Sequence, residues 1–334
     1  MKMYNHGAKA SLLITAVLFM APAWRVAAGQ EAELRPESRD ETISRYGLDI
    51  QSTLESRIQD VLSPELLKRF ERASVLPTIH VLTADERKKV AEAFAALPPV
   101  HRRILIEHLR GITFLDGMST SGITWTLNSG NAYPVYDIAV RASVLRQTAT
   151  EWLTEKERSV FSITGSTVTV SVEAGSEDAF RFLLLHESTH AVDFTLRIAS
   201  PPLLIEVRNG VSNVSNPFLT GVWRGSVPVP AYLYPFRDQI RFYTSDPMVD
   251  INQAVSAYQA LQKTPFVSLY GGLNPGDDLS ESLAIYHWTT VMKQPYRVVV
   301  RDSGKEMFAF DPLDSDLVWN RMTQMKQFYA DGND

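Results

Sequence analysis

His186, Glu187 and His190 stand in the pattern H-E-x-x-H, inside the run Phe182-Leu183-Leu184-Leu185-His186-Glu187-Ser188-Thr189-His190-Ala191-Val192-Asp193-Phe194. On a helix, positions i and i+4 lie one above the other, so both imidazoles leave the same face. Two neutral histidines at that separation can share one zinc ion. Glu187, one position along, is close enough to take a proton from water on the metal and pass it later to a leaving amine. The apolar turn before the motif and Ala191-Val192 after it put the helix in a core. Two imidazoles and a carboxylate buried there without a metal would be costly.

A catalytic zinc needs a third protein ligand and an open position. None of the other histidines (His6, His80, His101, His108, His287) follows the motif at the short spacing a third histidine would need. A downstream carboxylate is the alternative, and Asp277-Asp278-Leu279-Ser280-Glu281 offers two. Asp277 and Glu281 are four apart and share a helix face, so one can bind metal while the other steadies a ligand histidine. Asp193 serves a helix end or a ligand histidine, or is a simple surface aspartate, the reading slightly favoured.

The elements around these residues read as an α+β mixture. Thr42 to Ala73 has helical spacing, with a fresh start at Ser63-Pro64. Thr83 to Glu86 is a capping box for a helix to about Leu97, and a further helix covers Val100 to Leu109. Tyr133 to Leu145 and Ser166 to Val172 alternate as strands. Gly175 to Asp178 supplies N-cap candidates for the helix carrying the motif. Pro201 to Pro235 is a loop-rich excursion whose Trp223, Tyr232, Tyr234 and Phe236 form either a pocket wall or packing. Helices follow over Asp250 to Gln262, Asp278 to Lys293 and Asp314 to Tyr329. Three regions result: residues 1–28 as a signal peptide, 29–110 as a helical N-terminal region, and 111–334 as the domain holding the site.

His186 to Asp193 resembles the zinc helix of the anthrax lethal factor catalytic domain and of Mlc titration factor A peptidases, zinc metallopeptidases of the gluzincin type. Phe266 to Glu281 resembles their Tyr-then-acidic segment. The likeness spans about residues 166 to 293, and only the two short motifs are specific. It implies a zincin-like fold, a zinc cofactor, a tyrosine (Tyr270 here) that stabilises the oxyanion, and a glutamate seven residues later as third ligand. Seven residues from Tyr270 the chain has Asp277 instead, with a shorter arm. Leu279 to Ala284 resembles the L-N-E-G-x-A ligand helix of aminopeptidases, and arm length favours Glu281 over Asp277 as ligand. An extended peptide bound along a sheet edge is the family's substrate mode, with Tyr133 to Leu145 as candidate edge.

Composition sets the setting. A net charge of −5 spread over 334 residues gives no basic patch for nucleic acid. Lys2 and Lys9, the apolar run Ala10 to Met20 and Val26-Ala27-Ala28 have the layout of a secretory signal cleaved after Ala28. That run is well short of the ~20 residues that cross a bilayer. No cysteine is present, which excludes disulfides and a lipidated N-terminal cysteine. The expected protein is an exported zinc peptidase of the bacterial periplasm or extracellular space, acting on peptides or proteins. The alternative is a zincin-derived recognition protein that holds metal without turnover. Asn213-Val214-Ser215 matches a glycosylation acceptor, a chance match in a bacterial protein.

Overall fold

Capping residues shape the N-terminal part more than apolar spacing does. The structure, a computed structural model, describes residues 37–71, 75–163, 165–200 and 216–330. The expected signal peptide, residues 1–28, and Asn213 to Ser215 lie outside the described residues. Helix α1 (Arg39–Tyr46) begins at a Ser38–Glu41 capping box and stops at Gly47, whose φ of 62° turns the chain left-handed. The expected helical stretch to Ala73 thus gives way to α1, strand β1 (Ile58–Gln59) and α2 (Pro64–Arg69), the last opened by Ser63 and Pro64 as expected. Arg57 accounts for the break. Its buried guanidinium donates to the carbonyls of Asp49, Leu105, Ile106 and Leu109, which ties this loop to residues 105–109.

After β2 (Thr78–Ile79) come α3 (Ala84–Ala95), with the expected Thr83–Glu86 capping box, and α4 (Pro99–His108). Strands β3 (Leu109–Asp116), β4 (Gly122–Thr126) and β5 (Tyr136–Arg141) then build the main sheet in the order β1-β3-β5-β4. β3 runs parallel to β1 and β5, β2 pairs antiparallel with β3, and β4 is antiparallel to β5. Within Tyr133 to Leu145 the strand is central, not an edge; β4 is the edge. The first five residues of β5 are buried, Asp137 included, so both faces are covered and burial does not follow the expected alternation.

Helix α5 (Ala149–Arg158), β6 (Phe161–Ser162) and β7 (Val168–Glu173) lead to α6 (Ala179–Leu196), the H-E-x-x-H helix. Most of α6 is buried on every side, the mark of a central helix. In the excursion, β8 (Trp223–Arg224) and β9 (Val227–Pro228) form a small hairpin, and β10 (Val249–Asp250) pairs with β6. Helices α7 (Ala254–Leu261) and α8 (Pro275–Tyr286) follow, then β11 (Arg297–Asp302) and β12 (Lys305–Phe310), which join β7 in an antiparallel sheet. Helix α9 (Asp316–Met322) comes last. One core runs from Leu54 to Phe328, and Glu37–Asp334 is one compact unit, so packing shows no division at residue 110.

Three histidines are part of this core. His101 on α4 donates from Nε2 to Thr189 Oγ1 on α6 at 3.0 Å, since the Thr189 hydrogen goes to the Leu185 carbonyl. Burial, then the nearby His287, pushes His101 down to about 3. Burial, then Arg181, pushes His287 down to about 4. His108, bonded to the Pro134 carbonyl, is lowered by burial as well. The unfolded chain, with histidines near 6.5, therefore binds protons that the folded one refuses. Their contribution is complete above about pH 6.5 and declines as pH falls toward the folded values. For His101 and His287 the cost should be roughly 1.4 kcal/mol per pH unit across that window. Urea unfolding at pH 7 and pH 5 should show the loss, and His101→Leu should flatten it; an unchanged slope in that variant would reject His101 as a source.

Candidate metal centre

α6 and α8 pack against each other and bring the two motifs together. His186 Nε2 and His190 Nε2 are 3.2 Å apart, and Asp277 Oδ1 lies 3.6 Å from the first and 3.4 Å from the second. Metal bonds of ~2.0–2.1 Å at tetrahedral angles separate ligand atoms by about 3.3–3.4 Å. The triangle therefore has the edges of one face of a tetrahedral site, and His186, His190 and Asp277 are a group that could hold a metal ion.

Asp277 is held in place by Asn274. Asn274, the N-cap of α8, accepts from the Asp277 N–H at 2.9 Å, and its amide donates to Asp277 Oδ2 at 2.5 Å. That leaves Oδ1 for the imidazoles. Burial opposes the charge on Asp277, but the bonds to His186 and His190 hold its carboxyl well below the usual carboxylate range.

This placement sets Glu281, the carboxylate that arm length favours, apart from the triangle. Glu281 Oε1 sits 3.0 Å from His186 Nδ1, on the far side of the ring from the triangle. Nδ1 has no well-angled hydrogen bond, so that contact is an ion pair with its N–H aimed off the oxygen. Glu281 Oε1 also accepts from Lys156 Nζ at 2.7 Å, and Oε2 from Ser268 Oγ at 2.8 Å. Its longer arm is spent bridging Lys156 and His186, one helical turn too far along α8 to reach Nε2. Burial acts against its charge; Lys156 and then His186 overcome it and bring Glu281 down to about 2. Lys156 is likewise kept charged, because Glu281 outweighs the effect of burial. Without metal, the Asp277 and Glu281 carboxylates beside the ring outweigh burial and raise His186 to about 9.

Glu187 points to the other side, toward the sheet. Its Oε2 accepts from Thr124 Oγ1 at 2.7 Å, and Thr124 also reaches the Glu187 carbonyl at 3.0 Å. Thr124 lies on the edge strand β4. Gly122, at the start of that strand, makes the approach feasible: a Cβ there would lie 2.3 Å from Glu187 Oε1. Tyr270 is brought in as well, its ring 5.6 Å from that of His186 and Lys156 Nζ 4.4 Å from its centroid. Burial, then Asp277, raises the Tyr270 phenol well above its usual value, so it keeps its proton.

Other expected participants lie elsewhere. Asp193 accepts from the N–H groups of Ala199 and Ser200 and from the Ser200 hydroxyl, so it ties down the chain past α6. His287 bonds to Tyr329 Oη at 2.7 Å. Trp223 donates to Asp278 Oδ2, which also meets Arg321, and Tyr234 packs beside Gly272; both are packing rather than pocket wall. Lys156 carried a signal that spacing alone reveals: Ala149, Trp152, Leu153 and Lys156 fall at i, i+3, i+4 and i+7, which places a lysine on the apolar face of α5. Thr124, Asn274 and Ser268 carry none, since short polar residues in loops and strands are ordinary.

No family model matches the chain, and neither a curated protein nor a solved structure resembles it significantly.

Proposed function

We propose that this chain is an exported, zinc-dependent peptidase with a zincin-type site. The observation that carries the reading is the His186–His190–Asp277 triangle with Glu187 beside it, held toward an open sheet edge. Two imidazoles and one carboxylate suit zinc, leaving a fourth position free. Zinc held there would lower the pKa of a water toward neutrality and polarise a substrate carbonyl.

The chain's own residues supply the rest. β4 bonds to β5 on one side only, so its other edge is available to an extended peptide. Glu187 lies against that edge and accepts a proton from the attacking water, then delivers it to the departing amine. Thr124 fixes one carboxylate oxygen and leaves Oε1 for the transfer. Tyr270, still protonated, is a donor for the developing oxyanion. Asn274 keeps Asp277 aimed at the imidazoles, and Glu281 with Lys156 restrains the His186 ring. Among the described residues no helix is long and apolar enough to cross a membrane.

Metal analysis of the mature protein, with peptide hydrolysis before and after chelation, tests the reading. One zinc per chain and activity lost with the metal and regained with it are expected. A protein without zinc overturns it; zinc with no hydrolysis favours the recognition protein. Competition with a chromogenic chelator separates the two carboxylates. Asp277→Asn should lose more zinc affinity than Glu281→Gln, for which a loss of about 10–100-fold is expected. The reverse ranking would return Glu281 to the metal.

A further inference from the structure

Glu187 and His186 share with Ser121, Gly122, Lys156, Tyr243 and Tyr270 the wall of a cavity of about 60 Å³. That is room for roughly four waters, or for a short side chain, and too little for an aromatic ring. Its donors outnumber its acceptors. Ser121 Oγ accepts from Trp152 Nε1 at 2.8 Å and from Arg141 Nη2 at 3.3 Å, which occupies both its lone pairs. Its own hydrogen then goes to Tyr243 Oη, 3.1 Å away. The Tyr243 O–H is left with no acceptor among the described residues. Lys156 gives one ammonium hydrogen to Glu281 and keeps two. The carboxylate facing these donors from α6 is Glu187, one of whose oxygens already accepts from Thr124.

Tyr243 is also held in an unfavourable conformation. Its φ of 55° is left-handed, which a residue with a bulky side chain seldom adopts, and its N–H is tied to Ser159 Oγ at 3.2 Å. Strain of this kind persists where surrounding structure enforces it, and it concentrates at binding and catalytic positions.

The sheet edge fixes which part of a substrate meets the cavity. Gly122 is the first residue of β4, and Thr120 and Ser121 just before it also line the cavity. A peptide added antiparallel to β4 passes its later residues over that end. The side chain that reaches the cavity therefore belongs to the residue following the scissile bond.

We infer that this cavity is the subsite for that residue and that it selects a short carboxylate side chain, aspartate first, through Tyr243 Oη and Lys156 Nζ. This rests on the peptidase reading of the neighbouring site.

Peptide hydroxamates carrying Asp, Asn, Leu or Phe at the corresponding position, titrated into the zinc-loaded protein, measure the preference without turnover. Asp should bind at least about tenfold tighter than Leu, with Asn between them. Tyr243→Phe should narrow the Asp-to-Leu ratio by about tenfold at unchanged zinc content. Leu or Phe binding as tightly as Asp overturns the inference, as does a ratio untouched by Tyr243→Phe; if that variant does not fold, the wild-type ratio decides. Peptides with the same side chains are assayed alongside. Asp-selective hydroxamate binding with no peptide cleaved refutes the peptidase reading and keeps the subsite. Cleavage that prefers large apolar residues keeps the reading and refutes the subsite.

Discussion

Glu187→Gln should lower kcat/KM for peptide hydrolysis by about 10²–10⁴-fold while zinc content stays at the wild-type level. The amide has the carboxylate's shape, so it fits against Gly122, and its carbonyl oxygen can still accept from Thr124 Oγ1. What it lacks is a site to take up a proton. Glu187 is not among the three residues whose ligand atoms converge, so metal affinity should not depend on it. Steady-state kinetics on zinc-loaded wild type and variant, with metal content measured on the same samples, give the answer. Wild-type rates in a zinc-loaded variant would remove Glu187 from the chemistry and with it the main reason to read the centre as catalytic.

Lys156→Met should destabilise the fold by about 3–5 kcal/mol and weaken zinc binding. Lys156 and Glu281 are 3% and 1% exposed in their side chains and share a 2.7 Å contact. Methionine fills similar volume but leaves Glu281 as an uncompensated buried charge, with only Ser268 and the off-angle His186 contact to steady it. Urea unfolding should therefore show a much lower midpoint. Replacing both residues by methionine should cost less than the sum of the two single replacements, because the orphaned charge disappears with its partner. Additive losses would mean that the two side chains are not a coupled pair. The metal arm is independent of this: zinc affinity in the folded fraction should drop because the His186 ring loses its restraint.

The parts of the site that were legible in the sequence are those set by local helical geometry. The i, i+4 relation puts His186 and His190 on one face whatever the tertiary structure, and the same relation correctly placed Asp277 and Glu281 together on α8. Which of those two carboxylates meets the imidazole nitrogens was not legible, because it depends on the axial offset between α6 and α8. Arm length pointed to Glu281; a one-turn offset brings Asp277 to the imidazole nitrogens instead. Strand order was hidden for a similar reason. The apolar run of β5 identifies a strand, but only its pairing on both sides makes it central, and the Thr-rich segment that became the edge has no spacing to announce it. Capping signals at Ser63 and Thr83 were reliable because they are satisfied within four residues. The long N-terminal helix failed because Gly47 and the Arg57 bonds override apolar periodicity.

Asp278, next to Asp277, meets both terminal nitrogens of Arg321 at 3.1 and 2.6 Å, and Arg321 lies on α9. Read in time rather than space, that clamp gives an order of events. As the chain emerges, α6 comes first, just past the middle of the sequence, and brings the two histidines without the carboxylate. Asp277 follows much later, and its helix is not locked until Arg321 has been made. A partly synthesised chain therefore lacks the assembled triangle, and the group that could hold a metal is complete only when nearly all of the molecule is present to fold.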